Sequence, residues 1–129
     1  MKKRVTIKSP TVWEDRLGYA RAVRVGNMVF VAGTTAVNEF GEVVGRGDAH
    51  EQATFVFDKI GRALREAGAE MKHVVRTRMY LADIRCWESV GKAHNEVFAK
   101  VKPAATMVEV GHLIHPDLLV EIEVEAVIP

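Results

Sequence analysis

The sequence predicts one α+β domain over residues 1–129, a β-sheet backed on one face by two amphipathic helices. Three features carry this prediction. Apolar runs straddle the turn pair Gly26-Asn27, two stretches repeat apolar residues at helical steps, and the C-terminal segment alternates with period two.

In chain order, Ala20–Val25 and Met28–Ala32 flank Gly26-Asn27, a pair that accepts positive φ, and read as a β-hairpin. Met28-Val29-Phe30-Val31-Ala32 is apolar on both faces, which marks a central strand needing cover on each side. Asn38–Gly47, interrupted by Gly41, Gly45 and Gly47, reads as a loop with room for a short strand. Asp48 then supplies an N-cap, Glu51 the matching position of a capping box and Gly68 a left-handed stop, so a helix is expected from about Ala49 to Ala67. Its stripe is Ala53, Val56, Phe57, Ile60, Ala63, Leu64 and Ala67.

Val74–Ala82 alternates, with Arg76, Arg78 and Tyr80 on one face and Val75, Thr77, Met79 and Leu81 on the other. Trp87, Val90, His94, Val97, Phe98 and Val101 form a second helical stripe that ends before Pro103, and Gly91 on it offers a place for close backbone approach. Ala105–Val110 and Leu118–Val127 complete the strands. The last has Leu118, Val120, Ile122, Val124 and Ala126 inward and Glu121, Glu123 and Glu125 outward. Two helices cover one sheet face only, so a second subunit is the expected cover for the other.

Composition excludes several functions. Eighteen Lys and Arg against 17 Asp and Glu leave a net charge of +1, too small a field to favour nucleic acid as a partner. No apolar run approaches the roughly 18 residues of a membrane helix. The lone Cys86 forms no internal disulfide, and Met1-Lys2-Lys3-Arg4 leads into Val5-Thr6-Ile7-Lys8 rather than an apolar signal core, which makes the cytoplasm the expected location. The run Lys2-Lys3-Arg4 reads as a solvated tip. His50, His73, His94, His112 and His115 show no metal-ligand spacing, so no metal is expected. Gly41–Gly47 lacks the Lys-Ser/Thr ending of a phosphate loop, and Ser9 and Ser89 lack a nucleophile's setting.

The outward glutamates stand roughly 6.5–7 Å apart, where like charges repel unless paired. Arg76 and Arg78 are the expected partners of Glu123 and Glu125. Glu121, at the end of the series, reads either as another rung or as a carboxylate that takes a proton in a cleft.

Gly18-Tyr19, the strand Val25–Gly33, the turn Gly41-Glu42-Val43-Val44-Gly45, Lys102-Pro103-Ala104 ahead of Val108-Glu109-Val110, and Leu119-Val120-Glu121-Ile122-Glu123 together resemble the Rid (reactive intermediate deaminase, YjgF) family. The resemblance runs from about Gly18 to Val127. It implies a chorismate-mutase-like mixed sheet with two helices on one face. It also implies a homotrimer, with sheets meeting around the threefold axis and small-molecule clefts between neighbouring subunits. The implied chemistry is hydrolysis of 2-enamine or 2-imine acids to 2-keto acids and ammonia, with no cofactor. In deaminating members an arginine after Pro-Ala grips the substrate carboxylate, but here Pro103-Ala104 is followed by Ala105. An alanine methyl cannot replace a bidentate guanidinium. Ala32 stands in place of a family serine and Gly91 in place of a helix asparagine, while Tyr19 and Glu121 match the site tyrosine and glutamate.

The resulting expectation is a small-molecule enzyme or binding protein with Glu121 as catalytic residue and Tyr19 and Arg21 as ligand contacts, hydrolytic at C=N but not a standard 2-imino acid deaminase. Arg21, two residues from Tyr19 on the same side of a strand, is either a relocated clamp or a cation paired with a strand carboxylate. Tyr19 is either a ligand contact or a residue whose hydroxyl finds a partner at a subunit boundary. A non-catalytic sensing or partner-binding trimer is the alternative. A ribonuclease or translation inhibitor, which the resemblance also admits, ranks behind both.

Overall fold

The computed structural model describes residues 3–129, so Met1 and the Lys2 of the basic run lie outside the described residues. The chain forms β1 (Arg4–Ile7), α1 (Trp13–Leu17), β2 (Ala22–Val25), β3 (Met28–Thr35), α2 (Ala49–Glu66), β4 (Val74–Leu81), α3 (Trp87–Phe98), β5 (Ala104–Glu109) and β6 (Val120–Val127). One six-stranded sheet has the order β1-β2-β3-β6-β4-β5. Only β4 and β5 run parallel, with α3 as their crossover, so the sheet is mixed.

The hairpin at Gly26-Asn27 and the helix after Asp48 form as the sequence predicts. Gly26 has φ 60°, and the Asp48 side chain accepts from the Glu51 N–H at 3.0 Å. Gly68 follows the last turn at φ 86°. A side chain there would meet the Arg24 guanidinium, whose Nη1 donates to the Ala67 carbonyl at 2.7 Å and ties α2 to the hairpin. Loop 38–47 closes with a single bridge between Val37 and Val43.

β1 and α1 were not expected. Arg4, read as part of a solvated tip, opens an edge strand opposite Val25. An edge strand needs backbone partners rather than an apolar pattern, so the local sequence does not announce it. α1 is held from below by the buried Glu14, whose carboxylate accepts from the Ser9 N–H at 3.1 Å, from the Ser9 hydroxyl and from the Thr11 hydroxyl at 3.3 Å.

The core lies between the sheet and the two long helices. Val56, Phe57, Ile60 and Leu64 of α2 and Val90 and Phe98 of α3 are buried against Leu118, Val120, Ile122, Val124 and Ala126. Each such side chain contributes about 1.5–3 kcal/mol by leaving water. Three details differ from the periodicity. A register slip between Val74 and Arg76 buries Val74 and leaves Val75 exposed, because the extra residue shifts the alternation by one. Trp87 opens α3 at 55% exposure instead of joining its stripe. Among the described residues outside its own turn of helix, nothing comes within 4 Å of a Cβ placed on Gly91.

Across the sheet the second face has no cover among the described residues. Val25, Met28, Phe30 and Val108 are all exposed. Met28 and Phe30 lie on the strand read as two-sided, alternating with the buried Val29 and Val31.

Gln52 is a polar residue at 0% exposure on the α2 stripe. Its amide donates to the carbonyls of Gly45 (3.2 Å) and Asp117 (2.9 Å) and accepts from the Leu119 N–H (2.8 Å), clamping the loop before α2 to the lead-in of β6. Gln52→Ala orphans all three backbone groups, and the expected loss is about 3 kcal/mol. A thermal melt should show Tm lowered by roughly 10 °C.

Candidate functional site

The site region grows from an irregularity in the sheet. Pairing of β3 with β6 slips between Val31 and Thr34, which sets Ala32 and Gly33 in a bulge facing Glu121. Gly33 leaves room for the Glu121 carboxylate, since a Cβ there would collide with Glu121 Oε2 and push the carboxylate aside. Arg21, just before β2, spans the bulge from the other side. Its carbonyl accepts from the Ala32 N–H (3.0 Å), and its guanidinium donates to the Gly33 carbonyl (3.0 Å) and reaches the Thr34 hydroxyl (3.5 Å). The guanidinium carbon also sits 5.8 Å from the Tyr19 ring centre. The structure therefore brings Tyr19 and Arg21 together and ties Arg21 to the backbone against which Glu121 packs. Among the described residues Arg21 bonds a carbonyl and a hydroxyl and forms no ion pair, while its charge acts on Glu121.

The three outward glutamates of β6 have unequal surroundings. Tyr80 donates to Glu123 at 2.5 Å, and Arg78 donates to Glu125 at 2.7 Å while standing 3.9 Å from Glu123. Arg76 faces Glu125 in register but forms no ion pair among the described residues, so Arg78 and Tyr80 carry the ladder expected of Arg76 and Arg78. Arg76 adjoins the register slip at Val74, where regular cross-strand pairing begins anew.

Glu121 has neither ion pair nor side-chain hydrogen bond among the described residues. It is half-buried. Burial pushes its pKa above the usual carboxylate range, the Arg21 charge opposes this and the neighbouring Glu123 adds to it, with a net rise. A carboxylate in this state holds a proton more tightly than one in water.

The residues needed to complete the family's clamp lie elsewhere. Ala105 is on β5, opposite Thr77, at the far edge of the sheet from β2. Four strand spacings of about 4.8 Å separate β2 from β5, so Ala105 and the Tyr19–Arg21 pair of one chain cannot line one small pocket. Only a neighbouring chain could bring those two regions together.

A cavity of about 360 Å³ lies beside Arg21, between the segment after β1, the loop after β3 and α2. Neither Tyr19 nor Glu121 lines it. Lys59 of α2 does, and its ammonium donates to the carbonyls of Thr35 (2.9 Å) and Val37 (2.8 Å). Burial, with the positive charges of Arg21 and Arg62, lowers the Lys59 pKa to about 8. Sequence reasoning missed Lys59. The available signal was its place three residues after Val56 and four before Ala63, on the flank of the buried stripe. Glu14 and Gln52 were missed because nothing local marks a polar side chain for burial.

No helix among the described residues is long and apolar enough to cross a membrane. The family model described as Endoribonuclease L-PSP matches residues 13–128. An uncharacterized protein of Streptomyces coelicolor is 41% identical over 121 residues, covering 93% of this chain and 89% of the relative. The 3-aminoacrylate deaminase RutC of Acinetobacter baylyi is 34% identical over 104 residues, or 81% of this chain and 82% of that protein. The crystal structure of Rv2704 from Mycobacterium tuberculosis, a member of the highly conserved YjgF/YER057c/UK114 family, aligns with TM-score 0.89 at 42% identity, covering 98% of this chain and 100% of its own. With a family model spanning nearly all of the chain and relatives above 30% identity over most of it, this protein belongs to the Rid family, also known as the YjgF or endoribonuclease L-PSP family.

Proposed function

We propose that this protein is a homotrimeric, cofactor-independent hydrolase of a small C=N electrophile, with ligand clefts between subunits. In this reading Glu121 takes a proton from water as the water oxygen bonds to the C=N carbon and the π electrons pass to nitrogen. Glu121 returns that proton to the nitrogen, and as the hydroxyl proton then passes through Glu121 to nitrogen the C–N bond breaks, releasing ammonia or an amine and leaving a carbonyl. Tyr19 and Arg21 contact the ligand. The single observation that carries the reading is the half-buried, unpaired Glu121 seated against Gly33, in a family with a relative named 3-aminoacrylate deaminase.

Ala105 and Ala32 remove two polar groups of the family's usual site, so the substrate is not a 2-imino acid held by an arginine at position 105. The same substitutions favour a second reading, a trimer that binds a ligand without turnover. Ribonuclease activity requires a basic groove, and a net charge of +1 argues against one.

The trimer is checked by sedimentation equilibrium at micromolar protein, where three chains' mass is expected. A mass of 14.3 kDa, one chain, would show the proposal wrong. For the chemistry, wild type and Glu121→Gln are assayed side by side on a panel of uncharged imines and 2-imino acids. Wild type should hydrolyse at least one uncharged imine, and Glu121→Gln should lower that rate by about 100-fold or more. Equal rates would eliminate Glu121 as the base, and no turnover on any imine would leave the binding-only reading.

The sign of the pKa shift adds a pH test. The active base is the ionised form, so kcat/KM should fall as pH drops through a value above 4.5, the ordinary glutamate pKa, and this limb should vanish in Glu121→Gln. Ionised Glu121 also costs stability. That cost is present above its raised folded-state pKa and disappears as pH falls below the unfolded value of 4.5. At pH 7 Glu121→Gln should therefore melt no lower than wild type, with Tm expected to rise by a few degrees.

Gly33→Ala offers an independent check. The added methyl meets the far end of a flexible side chain rather than backbone, so the fold should survive with Tm within about 4 °C of wild type, roughly 1 kcal/mol for a domain of this size. The carboxylate, however, must move. Loss of turnover to the level of Glu121→Gln is the expected result, measured in the same imine assay.

A further inference from the structure

The cavity beside α2 shares Arg21 with the proposed reaction but neither Tyr19 nor Glu121, and its chemistry is distinctive. Lys8, Arg21, Lys59 and Arg62 line it with two acids, Glu39 and Glu66, while Arg62 also stands 3.8 Å from Asp58. Phe55, Val37, Ile7 and Ala63 supply apolar wall between them.

Several of these groups are held in place before any ligand arrives. The two carbonyl bonds of Lys59 fix its ammonium and leave one of its three N–H donors over. The Arg21 Nε is buried with no hydrogen-bond partner among the described residues. The wall at Lys8–Thr11 is fastened by Glu14 through the Ser9 N–H, the Ser9 hydroxyl and the Thr11 hydroxyl. Positive charges kept close together in a partly desolvated hollow repel one another, and an anion placed among them relieves that repulsion.

We propose that this cavity is a second ligand site, separate from the Glu121 cleft, that takes a small carboxylate with an apolar body. The carboxylate lies among Lys59, Arg21 and Arg62, and the apolar body lies against Phe55. The volume of about 360 Å³ is at the lower end for small-molecule sites and fits a compact organic acid rather than a nucleotide.

The test is calorimetric titration of the full chain at pH 7 and low ionic strength with 3-methylbutanoate, with uncharged 3-methyl-1-butanol and inorganic phosphate as comparisons. Saturable binding of 3-methylbutanoate is expected, with no binding of the alcohol and weaker binding of phosphate. Lys59→Met should weaken 3-methylbutanoate binding by about tenfold or more. Since Lys59 also holds two carbonyls, the double variant Lys8→Gln/Arg62→Gln provides a second measurement through exposed side chains and should weaken binding similarly. Glu121→Gln should leave the affinity within about twofold, a change of under half a kcal/mol.

The proposal is overturned by any of four results. The first is absence of saturable binding up to about 10 mM, beyond the weak end of ordinary ligand affinity. The second is affinity unmoved by both cavity variants, and the third is affinity shifted about tenfold or more in either direction by Glu121→Gln, which places the anion in the cleft instead. The last is phosphate binding as tight as that of 3-methylbutanoate, which shows that the apolar wall contributes nothing.

Discussion

The fold depends on the placement of its last strand at the centre of its sheet. β6 stands between β3 and β4, so the two halves of the sheet are joined only through the C-terminal residues. The inward side chains of that strand, Val120, Ile122, Val124 and Ala126, are nearly inaccessible to water and receive both helices. Such pairings close long loops before they are rewarded by burial, which makes the topology slow to form but cooperative once formed. The Gln52 clamp belongs to this constraint, since it fastens α2 to the segment that delivers β6.

The same strand decides where chemistry is possible. Strict alternation buries four apolar residues inward and therefore sets Glu121, Glu123 and Glu125 outward in one row. Arg78 pairs with Glu125 and Tyr80 donates a hydrogen bond to Glu123, which eases the repulsion at those two while Glu123 still acts on Glu121. Glu121 is left without a partner and pressed against a glycine in a bulge. A half-buried carboxylate without a partner does not serve stability. That local cost beside Arg21 is what supports the role proposed for Glu121.

The bulge at Ala32–Gly33 couples two regions that the sheet would otherwise separate. Arg21 reaches across it from β2, bonding the Gly33 carbonyl, and its charge acts on Glu121 on one side and on Lys59 on the other. One guanidinium thus acts on both the glutamate row and the α2 cavity, second to burial at each. Beyond it, the exposed Met28, Phe30 and Val108 share the glutamates' side of the sheet. Charged and apolar groups displayed on one face suit an interface whose core excludes water while its polar members are satisfied by the partner.

The sequence by itself determined the α+β class, the hairpin at Gly26-Asn27, the span of α2, the inward face of β6 and Glu121, Tyr19 and Arg21 as candidates, because period, turn chemistry and motif order are written in consecutive residues. Its errors lay where geometry is not local. β1 is a strand because β2 offers it an edge, Val74 rather than Val75 is buried because pairing with β6 slips by one residue, and Trp87 stays exposed although it falls on the helical period. Only the tertiary structure decided that Arg78 and Tyr80 occupy two of the glutamates and leave Glu121 unpaired, that Arg21 bonds backbone instead of a carboxylate, and that Lys59 turns inward to cap the end of β3. Each of these depends on distances between residues far apart in the chain. Burial and Coulomb interaction act through those distances, and no pattern along a single strand or helix records them.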